Sequence, residues 1–233
     1  MSRTILVTGA SGNLGKDVVR HLATEGHQVI ALTGSHKVSK ELDKIISFQI
    51  PVDLGNQSES AKTIENIIRL YPQLDAAVLL AGGFEMGNIK DTDESLLDKQ
   101  ITLNFKTAWF VIQPLLTHFK ELGRGQFILM GAKPAINLSE SVNKVAYALS
   151  KSLVVSLAEI INAEGKDAGI TASVIVPEVI DTPQNRKDMP DADFARWVKT
   201  STISDIITFI LSDAGRWLRQ PVYKAYNRKV SSE

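Results

Sequence analysis

Short apolar runs alternate with longer amphipathic stretches along the whole chain, and this alternation restricts the fold more than any other feature of the sequence. A run such as AAVLL at residues 76–80 is typical of a strand buried on both faces of a parallel sheet. Between the runs, apolar residues recur at helical spacing. We therefore expect an α/β fold, a single Rossmann-type doubly wound parallel sheet flanked by helices on both faces. Strands are expected at residues 4–7, 28–32, 45–50, 76–80, 126–130 and 171–176, and helices at residues 14–24, 58–70, 95–122 and 144–164.

Two long irregular stretches, residues 82–92 and 177–199, each follow the carboxyl end of an expected strand. Ligands of open α/β sheets bind at that edge, and loops of this length in a compact domain are usually functional or disordered. We find no internal repeat and no linker. The sequence predicts one Rossmann-type domain over residues 1–233, with a substrate loop or lid at about residues 177–200.

Composition excludes several classes of function. Lys and Arg together number 26, as do Asp and Glu, so no excess charge favours nucleic acid or an anionic membrane. The chain has no cysteine, which excludes disulfides, thiol nucleophiles and thiolate metal sites. Its four histidines are scattered, and we expect no metal. We see no signal segment and no apolar stretch near the ~20 residues of a membrane span, so we expect a cytoplasmic protein.

A glycine-rich turn, TGASGNLG at residues 8–15, follows the first expected strand and precedes a helix. Glycine lets the backbone adopt positive φ and approach a pyrophosphate closely, and the helix N-terminus offers N–H groups to the anion. The alternative is a plain turn with a glycine cap. Its position in a βαβ pattern favours dinucleotide binding. The residues expected to contact the cofactor here are Gly9, Ser11, Gly12, Asn13, Leu14 and Gly15.

The end of the second strand bears on which dinucleotide is bound. NAD-preferring folds usually place an acidic residue there, to hold the adenine ribose hydroxyls. Here Thr33 occupies that position, and the first carboxylate is Glu41. Thr33, Ser35 and Lys37 are suited to a 2′-phosphate, which an aspartate would repel; alternatively they are solvated loop residues. We expect NADP(H) in preference to NAD(H).

Tyr147 and Lys151 are four residues apart on an expected helix and therefore share one face. A free tyrosine has a pKa near 10 and is a poor acid or base at neutral pH. A neighbouring lysine cation favours the phenolate, so we expect it to lower the pKa of Tyr147 toward neutrality. Taken alone, this spacing is a frequent coincidence on helix surfaces.

In combination, these motifs resemble the short-chain dehydrogenase/reductase family over nearly the whole chain. The glycine spacing has the TGxxGxxG form of extended and atypical members rather than TGxxxGxG. LLAG at residues 79–82 stands where many members have NNAG, YALSK at residues 147–151 matches YxxxK, and PEVIDT at residues 177–182 resembles PGxxxT with Glu178 in place of glycine.

The resemblance implies roles for individual residues. Asn104 would support a water chain that relays protons to Lys151, and Lys151 would hold the nicotinamide ribose. Family members usually form dimers or tetramers through the two long helices, so a homodimer or homotetramer is implied. The remaining implied cofactor contacts are Asp53 and Leu54 at the adenine, Ala81, Gly82 and Gly83 along the cofactor, and Pro177, Ile180 and Thr182 near the carboxamide.

One family residue is absent. A serine that polarises the substrate carbonyl is replaced by Ala132, and a return of Ser139 or Ser141 to that position is disfavoured because both lie on a loop. The dihydropteridine reductase branch also has alanine in a GAK stretch, and it resembles this chain in AGGF at residues 81–84 and in residues 181–194. That branch prefers NADH and carries an acid after the second strand. Phe84 and Trp197 are expected to cover a flat substrate together with Ala132.

We thus expect an NAD(P)H-dependent short-chain oxidoreductase that transfers hydride to a C=O or C=N carbon, with Tyr147 as general acid/base supported by Lys151 and Asn104. General carbonyl reduction and pterin reduction are not separated by the sequence. The alternative class is a non-catalytic NADP(H)-sensing regulatory protein, suggested by the GNLG segment at residues 12–15 and the missing serine.

Overall fold

A computed structural model describes residues 2–36, 38–219 and 222–226. These residues contain nine strands, seven of which form one sheet in which every neighbouring pair is parallel. The strands are β1 (Thr4–Thr8), β2 (Gln28–Thr33), β3 (Phe48–Pro51), β4 (Leu74–Leu79), β5 (Gly125–Met130), β6 (Ile170–Pro177), β7 (Ile180–Asp181), β8 (Val198–Lys199) and β9 (Val222–Ala225). Their order is β3-β2-β1-β4-β5-β6-β9, and β7 and β8 pair separately. The expected doubly wound α/β sheet is confirmed, and its strand order reverses between β1 and β4, where such folds bind ligands.

Helices cover both faces of this sheet. They are α1 (Asn13–Thr24), α2 (Lys40–Asp43), α3 (Gln57–Leu70), α4 (Glu94–Ile101), α5 (Thr107–Leu122), α6 (Lys133–Ile136), α7 (Val145–Glu164), α8 (Pro183–Asp188) and α9 (Thr200–Leu211). The apolar faces of α3, α5 and α7 belong to one hydrophobic core, and those of α1 and α9 belong to the other. Along β1, Leu6 faces the first core while Ile5 and Val7 face the second. Because both faces are covered, the strands are continuously apolar.

The structure differs from the expected elements in several places. The single helix expected over residues 95–122 is α4 and α5 joined by a π-helical turn, Thr102–Lys106. Helix α9 was not predicted, and the expected irregular stretch 177–199 contains β7, α8 and β8. One domain over all 233 residues stays a prediction.

Helix α7 is long and apolar enough by length and composition to cross a membrane, with a mean hydropathy of 1.3. The expectation that no stretch approaches that length was therefore wrong. The helix packs on β5 and β6, and Val154, Leu157 and Ile161 on its inner face are at most 4% exposed. These contacts are those of a core helix in a folded domain.

Candidate active site

The glycine turn brings three backbone segments into contact. Gly9 has φ +62°, and a Cβ on it would lie 2.9 Å from the amide nitrogen of Ala81. A Cβ on Gly15 would lie 2.1 Å from the carbonyl oxygen of Gly9. Helix α1 starts directly after Gly12, and no side chain caps it. The turn therefore presents backbone and uncapped helical N–H groups, a combination that suits a pyrophosphate.

A cleft of about 1030 Å³ extends from this turn along the carboxyl edge of the sheet. This volume and the glycine turn fit a dinucleotide, and nine of the predicted cofactor residues lie on the cleft wall: Gly9, Ser11, Gly12, Thr33, Ser35, Asp53, Leu54, Ala81 and Gly82. Residues that the sequence did not single out also line it, among them Asp98, Lys99, Thr102, Leu103 and Thr107. They come from α4, the π turn and the start of α5, which no glycine motif indicates.

The end of the cleft at which the sequence predicts the adenine is formed by the ends of β2 and β3. Thr33 is 2% exposed and its hydroxyl lies 3.4 Å from the carbonyl oxygen of Ile50. Ser35 is exposed and lies within 3.1 Å of the ring of His36. Asp53 accepts a hydrogen bond from the N–H of Gly55 at 2.9 Å. Lys37, the third residue expected to favour a phosphate, lies outside the described residues.

Thr8 positions the segment that follows β4. Its hydroxyl oxygen accepts hydrogen bonds from the N–H groups of Leu80 at 3.0 Å and Ala81 at 3.1 Å. This threonine was not predicted as a site residue, although it begins the TGxxGxxG segment. By holding the two amides it fixes the backbone that leads into Gly82 and Gly83.

Tyr147 and Lys151 lie at the far end of this edge, on α7. Lys151 is 6% exposed, its Nζ donates to the carbonyl oxygen of Met130 at 2.9 Å, and burial lowers its pKa to about 8. Burial also raises the pKa of Tyr147 to about 12. The expected lowering of the Tyr147 pKa is thus wrong. Lys151 is buried and Tyr147 is half-buried, which disfavours the charged form of each, and the lysine bonds to Met130 instead of to the phenol.

The carboxamide of Asn104 meets the same region from the π turn. Its Oδ1 accepts a hydrogen bond from the N–H of Gly83 at 3.0 Å. A Cβ on Gly82 would lie 2.7 Å from that oxygen and 3.3 Å from Lys151 Nζ. Gly82 therefore separates the two predicted residues Asn104 and Lys151, and the structure brings both to one point.

Ala132 is the residue that the family resemblance places where other members have serine. Ala132 is 4% exposed and directly precedes α6 with extended backbone. The hydroxyl of Ser139 donates to the side chain of Asn137 at 2.8 Å, and that of Ser141 donates to the carbonyl of Leu138 at 2.5 Å. Both hydroxyls are thus engaged within their own loop.

The residues of the expected lid are separated by the structure. Phe84 is 57% exposed and its ring meets the Tyr147 ring edge to face at 4.9 Å. Trp197, in contrast, is 8% exposed, packs on Phe194 and borders a second cleft with residues of α9 and β9. Its assignment to the substrate rested on its place in a loop alone.

The segment after β6 is held by local bonds. Arg186 forms two bonds to the carboxylate of Asp181, at 2.6 and 2.8 Å, and its guanidinium lies over the Phe194 ring. Thr182 accepts from the N–H of Asn185 at 3.1 Å and caps α8. Ile180, another predicted cofactor contact, begins β7, and Pro177 ends β6. The segment is consequently a built structure rather than an irregular loop.

Comparison with known proteins adds to this geometry. The family model described as short chain dehydrogenase matches residues 3–193. A protein named dihydropteridine reductase from Dictyostelium discoideum is 32% identical over 209 residues, covering 88% of this chain and 86% of its own. The oxidoreductase UcpA of Salmonella typhimurium is 24% identical, covering 93% and 90%.

Solved structures share the fold. A short-chain type dehydrogenase/reductase from Mycobacterium ulcerans superposes with a TM-score of 0.87 at 23% identity, covering 96% of this chain and 89% of that one. The structure titled gox2181 has a TM-score of 0.88 at 19% identity, covering 96% and 94%.

Proposed function

The chain belongs to the short-chain dehydrogenase family and is an NAD(P)-dependent oxidoreductase of small molecules, and on that premise we propose that it works as a reductase in which Tyr147 delivers the proton. The observation that carries the proposal is the half-buried Tyr147 and the buried Lys151 on neighbouring turns of α7, with Lys151 beside Gly82 of the cleft wall. Among the described residues, the Tyr147 hydroxyl makes no hydrogen bond and Lys151 meets no carboxylate. Polar side chains that lack such partners and lie close to a cleft are suited to bind a ligand.

A nicotinamide dinucleotide bound in the cleft would supply the hydride. The glycine turn, with Asn13 and Leu14 at the start of α1, would hold its pyrophosphate. Asp53 and Leu54 would contact the adenine, and Lys151 would hold the nicotinamide ribose through the N–H donors that Met130 leaves free. Ile180 and Thr182 would lie near the carboxamide.

The proton chemistry favours reduction. With a pKa of about 12, Tyr147 is protonated at neutral pH, and its O–H is the donor that the substrate oxygen or nitrogen needs as the hydride arrives. The phenolate left behind is stabilised by the ammonium of Lys151 on the next turn of α7. Oxidation would require the phenolate at the start, which burial disfavours. Asn104 would support return of a proton toward Lys151.

The site favours a substrate that needs little polarisation at the reacting bond. Ala132 offers no hydroxyl where a carbonyl oxygen would lie, and such a donor is commonly worth about 3 kcal/mol. The exposed Phe84 ring beside Tyr147 offers a face for a flat, conjugated molecule. The dihydropteridine reductase relative supports a conjugated C=N as the acceptor.

The substrate proposal is tested by following NADPH and NADH oxidation with quinonoid dihydropterin and with simple ketones. We expect turnover with the dihydropterin and rates at least about a hundredfold lower with ketones. The variant Ala132→Ser, which restores a donor, should raise the ketone rate by ten- to a hundredfold. Tight binding of dinucleotide without turnover of any acceptor would instead support a sensor.

We also propose a preference for NADP(H). No carboxylate follows β2 before Glu41, while Thr33 and Ser35 line the adenine end of the cleft. The test is the Kd of each reduced dinucleotide, measured by its fluorescence. NADPH should bind at least about tenfold more tightly, and Thr33→Asp should remove this preference through repulsion of the 2′-phosphate. Equal affinities in the unaltered protein would contradict the preference.

A homodimer or homotetramer with contacts through α5 and α7 remains part of the proposal. Leu149, Leu153 and Ile160 form an exposed apolar stripe on α7, and Trp109 of α5 is partly exposed. Light scattering during size-exclusion chromatography tests it. Leu153→Glu should shift a dimer toward monomer, and a monomeric parent protein would contradict it.

A further inference from the structure

The Asn104 carboxamide joins three elements of the site. Its Oδ1 accepts from the Gly83 N–H at 3.0 Å, in the segment that follows β4. Its Nδ2 donates to Gln100 Oε1 on α4 and to Ser150 Oγ on α7, each at 3.1 Å. Ser150 Oγ in turn donates to the carbonyl oxygen of Tyr147 at 2.8 Å. A single side chain thus connects the Gly82–Gly83 segment, α4 and the turn of α7 that carries Tyr147.

Every hydrogen-bonding group of this carboxamide is used. Both N–H donors and the oxygen of Asn104 have partners, and the residue is 2% exposed. Gln100 is 1% exposed and Ser150 is fully buried, so water does not replace either acceptor. A buried donor without an acceptor is costly. The orientation in which Oδ1 faces Gly83 therefore depends on both acceptors of Nδ2.

Gln100 is four residues before Asn104, and the helix widens into the π turn between them. A π turn leaves the backbone ladder irregular, so the direction of a side chain there is set less firmly than in an α-helix. The side-chain bond from Asn104 to Gln100 spans this irregular turn and fixes that direction.

We propose that Gln100 is a positioning residue for the reaction, holding the Asn104 carboxamide against Gly83 and so keeping Phe84 and Tyr147 in register. Phe84 directly follows Gly83, and its ring lies 4.9 Å from that of Tyr147. If the carboxamide turns, the Gly83 N–H loses its acceptor and the Phe84 backbone loses its anchor. The inference rests on the proposed roles of Tyr147 and Asn104, and its first test does not depend on turnover.

The first test is amide hydrogen exchange in the ligand-free protein, labelled with ¹⁵N-glycine and observed by NMR. Gln100→Met keeps the length of the side chain and removes the acceptor, and should speed exchange of the Gly83 amide about tenfold. The Gly131 amide, bonded to the Ile175 carbonyl at 2.9 Å, is the internal reference and should not change. Gln100→Glu keeps an acceptor at the same atom and should restore slow exchange. The same glutamine-to-methionine change at exposed Gln57 is the control.

The second test is a double-mutant cycle on turnover, with quinonoid dihydropterin and NADPH as probes. Gln100→Met should lower kcat about tenfold with less than a twofold change in the Kd for NADPH. In an Asn104→Ala background, the same change should lower kcat by less than twofold, because Gln100 acts through Asn104. If Gln100→Met does not fold, Ser150→Ala removes the other acceptor and enters the same cycle.

Unchanged Gly83 exchange, equal acceleration at Gly83 and Gly131, or equal losses of kcat in both backgrounds would each overturn the role of Gln100. These outcomes are separable from failure of the proposed function. Full turnover in Tyr147→Phe would contradict the proposed function. If Tyr147→Phe is inactive but Gln100→Met lowers kcat equally in both backgrounds, only the positioning role is contradicted.

Discussion

Buried charged groups at the two ends of the parallel sheet differ in whether they have charged partners. At the amino end, Arg3 and Asp75 are each less than a tenth exposed, and they form an ion pair at 3.0 Å. At the carboxyl end, Lys151 is equally buried but has one carbonyl partner and no carboxylate among the described residues. Burial of a charge is costly unless it is paired. The difference separates groups that hold the fold together from groups available to a ligand.

The buried side chains of the amino-end network are joined by hydrogen bonds. Arg3 also donates to the carbonyl oxygens of Asp75 at 3.0 Å and Leu211 at 2.7 Å and to the side chain of Gln126. Arg124 and Arg216 lie 3.2 and 3.7 Å from the Asp75 carboxylate. These bonds fasten the end of α9 to β1, β4 and β5. Its buried members Arg3, Asp75 and Gln126 bond to one another and to backbone carbonyls, so we assign the network a structural role.

The largest effect is expected at Asp75. Asp75→Ala leaves Arg3 buried without its counter-ion and should lower the free energy of unfolding by about 3–5 kcal/mol, measured by urea denaturation. Turnover per folded molecule should stay within about twofold, because the network lies at the opposite edge from Tyr147. If turnover falls by more than the fraction of folded protein does, the amino-end network also contributes to turnover and is not purely structural.

At Lys151 we expect the opposite: removal of the side chain should stabilise the protein and lower its turnover. The pKa of Lys151 is about 8 in the folded protein and 10.5 for an ordinary lysine, so at pH 7 the folded state carries the cost of a buried charge. Lys151→Met should raise the free energy of unfolding by up to about 3 kcal/mol, less the bond to Met130, while lowering turnover at least a hundredfold.

The pH dependence of the free energy of unfolding tests the same variant in a second way. Between about pH 8 and 10.5 the unfolded chain holds the Lys151 proton and the folded protein does not, so this group makes stability rise with pH over that window. Denaturation at pH 7 and pH 9 checks both signs. A destabilised Lys151→Met, or an unchanged pH dependence, would show that the lysine is a structural group like Arg3.

The same substitution at two glycines sharpens the contrast. A Cβ on Gly125, at the amino end of β5, would lie 2.2 Å from the fully buried Phe119 ring, so Gly125→Ala should cost about 1–3 kcal/mol of stability. A Cβ on Gly82 meets Asn104 and Lys151 instead. Gly82→Ala should reduce turnover about tenfold or more at a smaller cost in melting temperature. Similar profiles for the two variants would argue against distinct roles.

The Lys151 and Tyr147 side chains also predict how turnover depends on pH. Reduction requires the Lys151 ammonium and the Tyr147 phenol, whose pKa values are about 8 and about 12. The rate at saturating substrate should therefore be level below pH 7 and fall about tenfold per unit above pH 8, because the ammonium is lost first. A rate that stays level to pH 10 would mean that the lysine charge is not needed.

The fold was predictable because its strands are buried on both faces, which makes them continuous apolar runs in the sequence. The π turn was not, since one widened turn barely disturbs the helical spacing of Ile101, Phe105 and Ala108. Helix α9 carries a readable signal in Ile203, Ile207 and Ile210, but it follows a segment taken to be irregular.

The site was predictable where a motif fixes backbone geometry and not where tertiary burial decides. The glycine turn and the Tyr147–Lys151 spacing can be read locally, and the structure brings Asn104 close to Lys151. The pKa of Tyr147 depends on the residues that surround it in the fold, so the shift predicted from the Tyr147–Lys151 spacing had the wrong direction. Gln100 and Trp197 depend in the same way on contacts between distant elements.

The central claim is that Tyr147 donates the proton, and the most direct measurement compares the unaltered protein with Tyr147→Phe. NADPH oxidation with quinonoid dihydropterin is followed for both, together with the Kd for NADPH and the melting temperature. We predict a loss of turnover of 10²–10⁴-fold, with affinity within a few-fold and an unchanged or higher melting temperature. Full turnover in Tyr147→Phe would contradict the account.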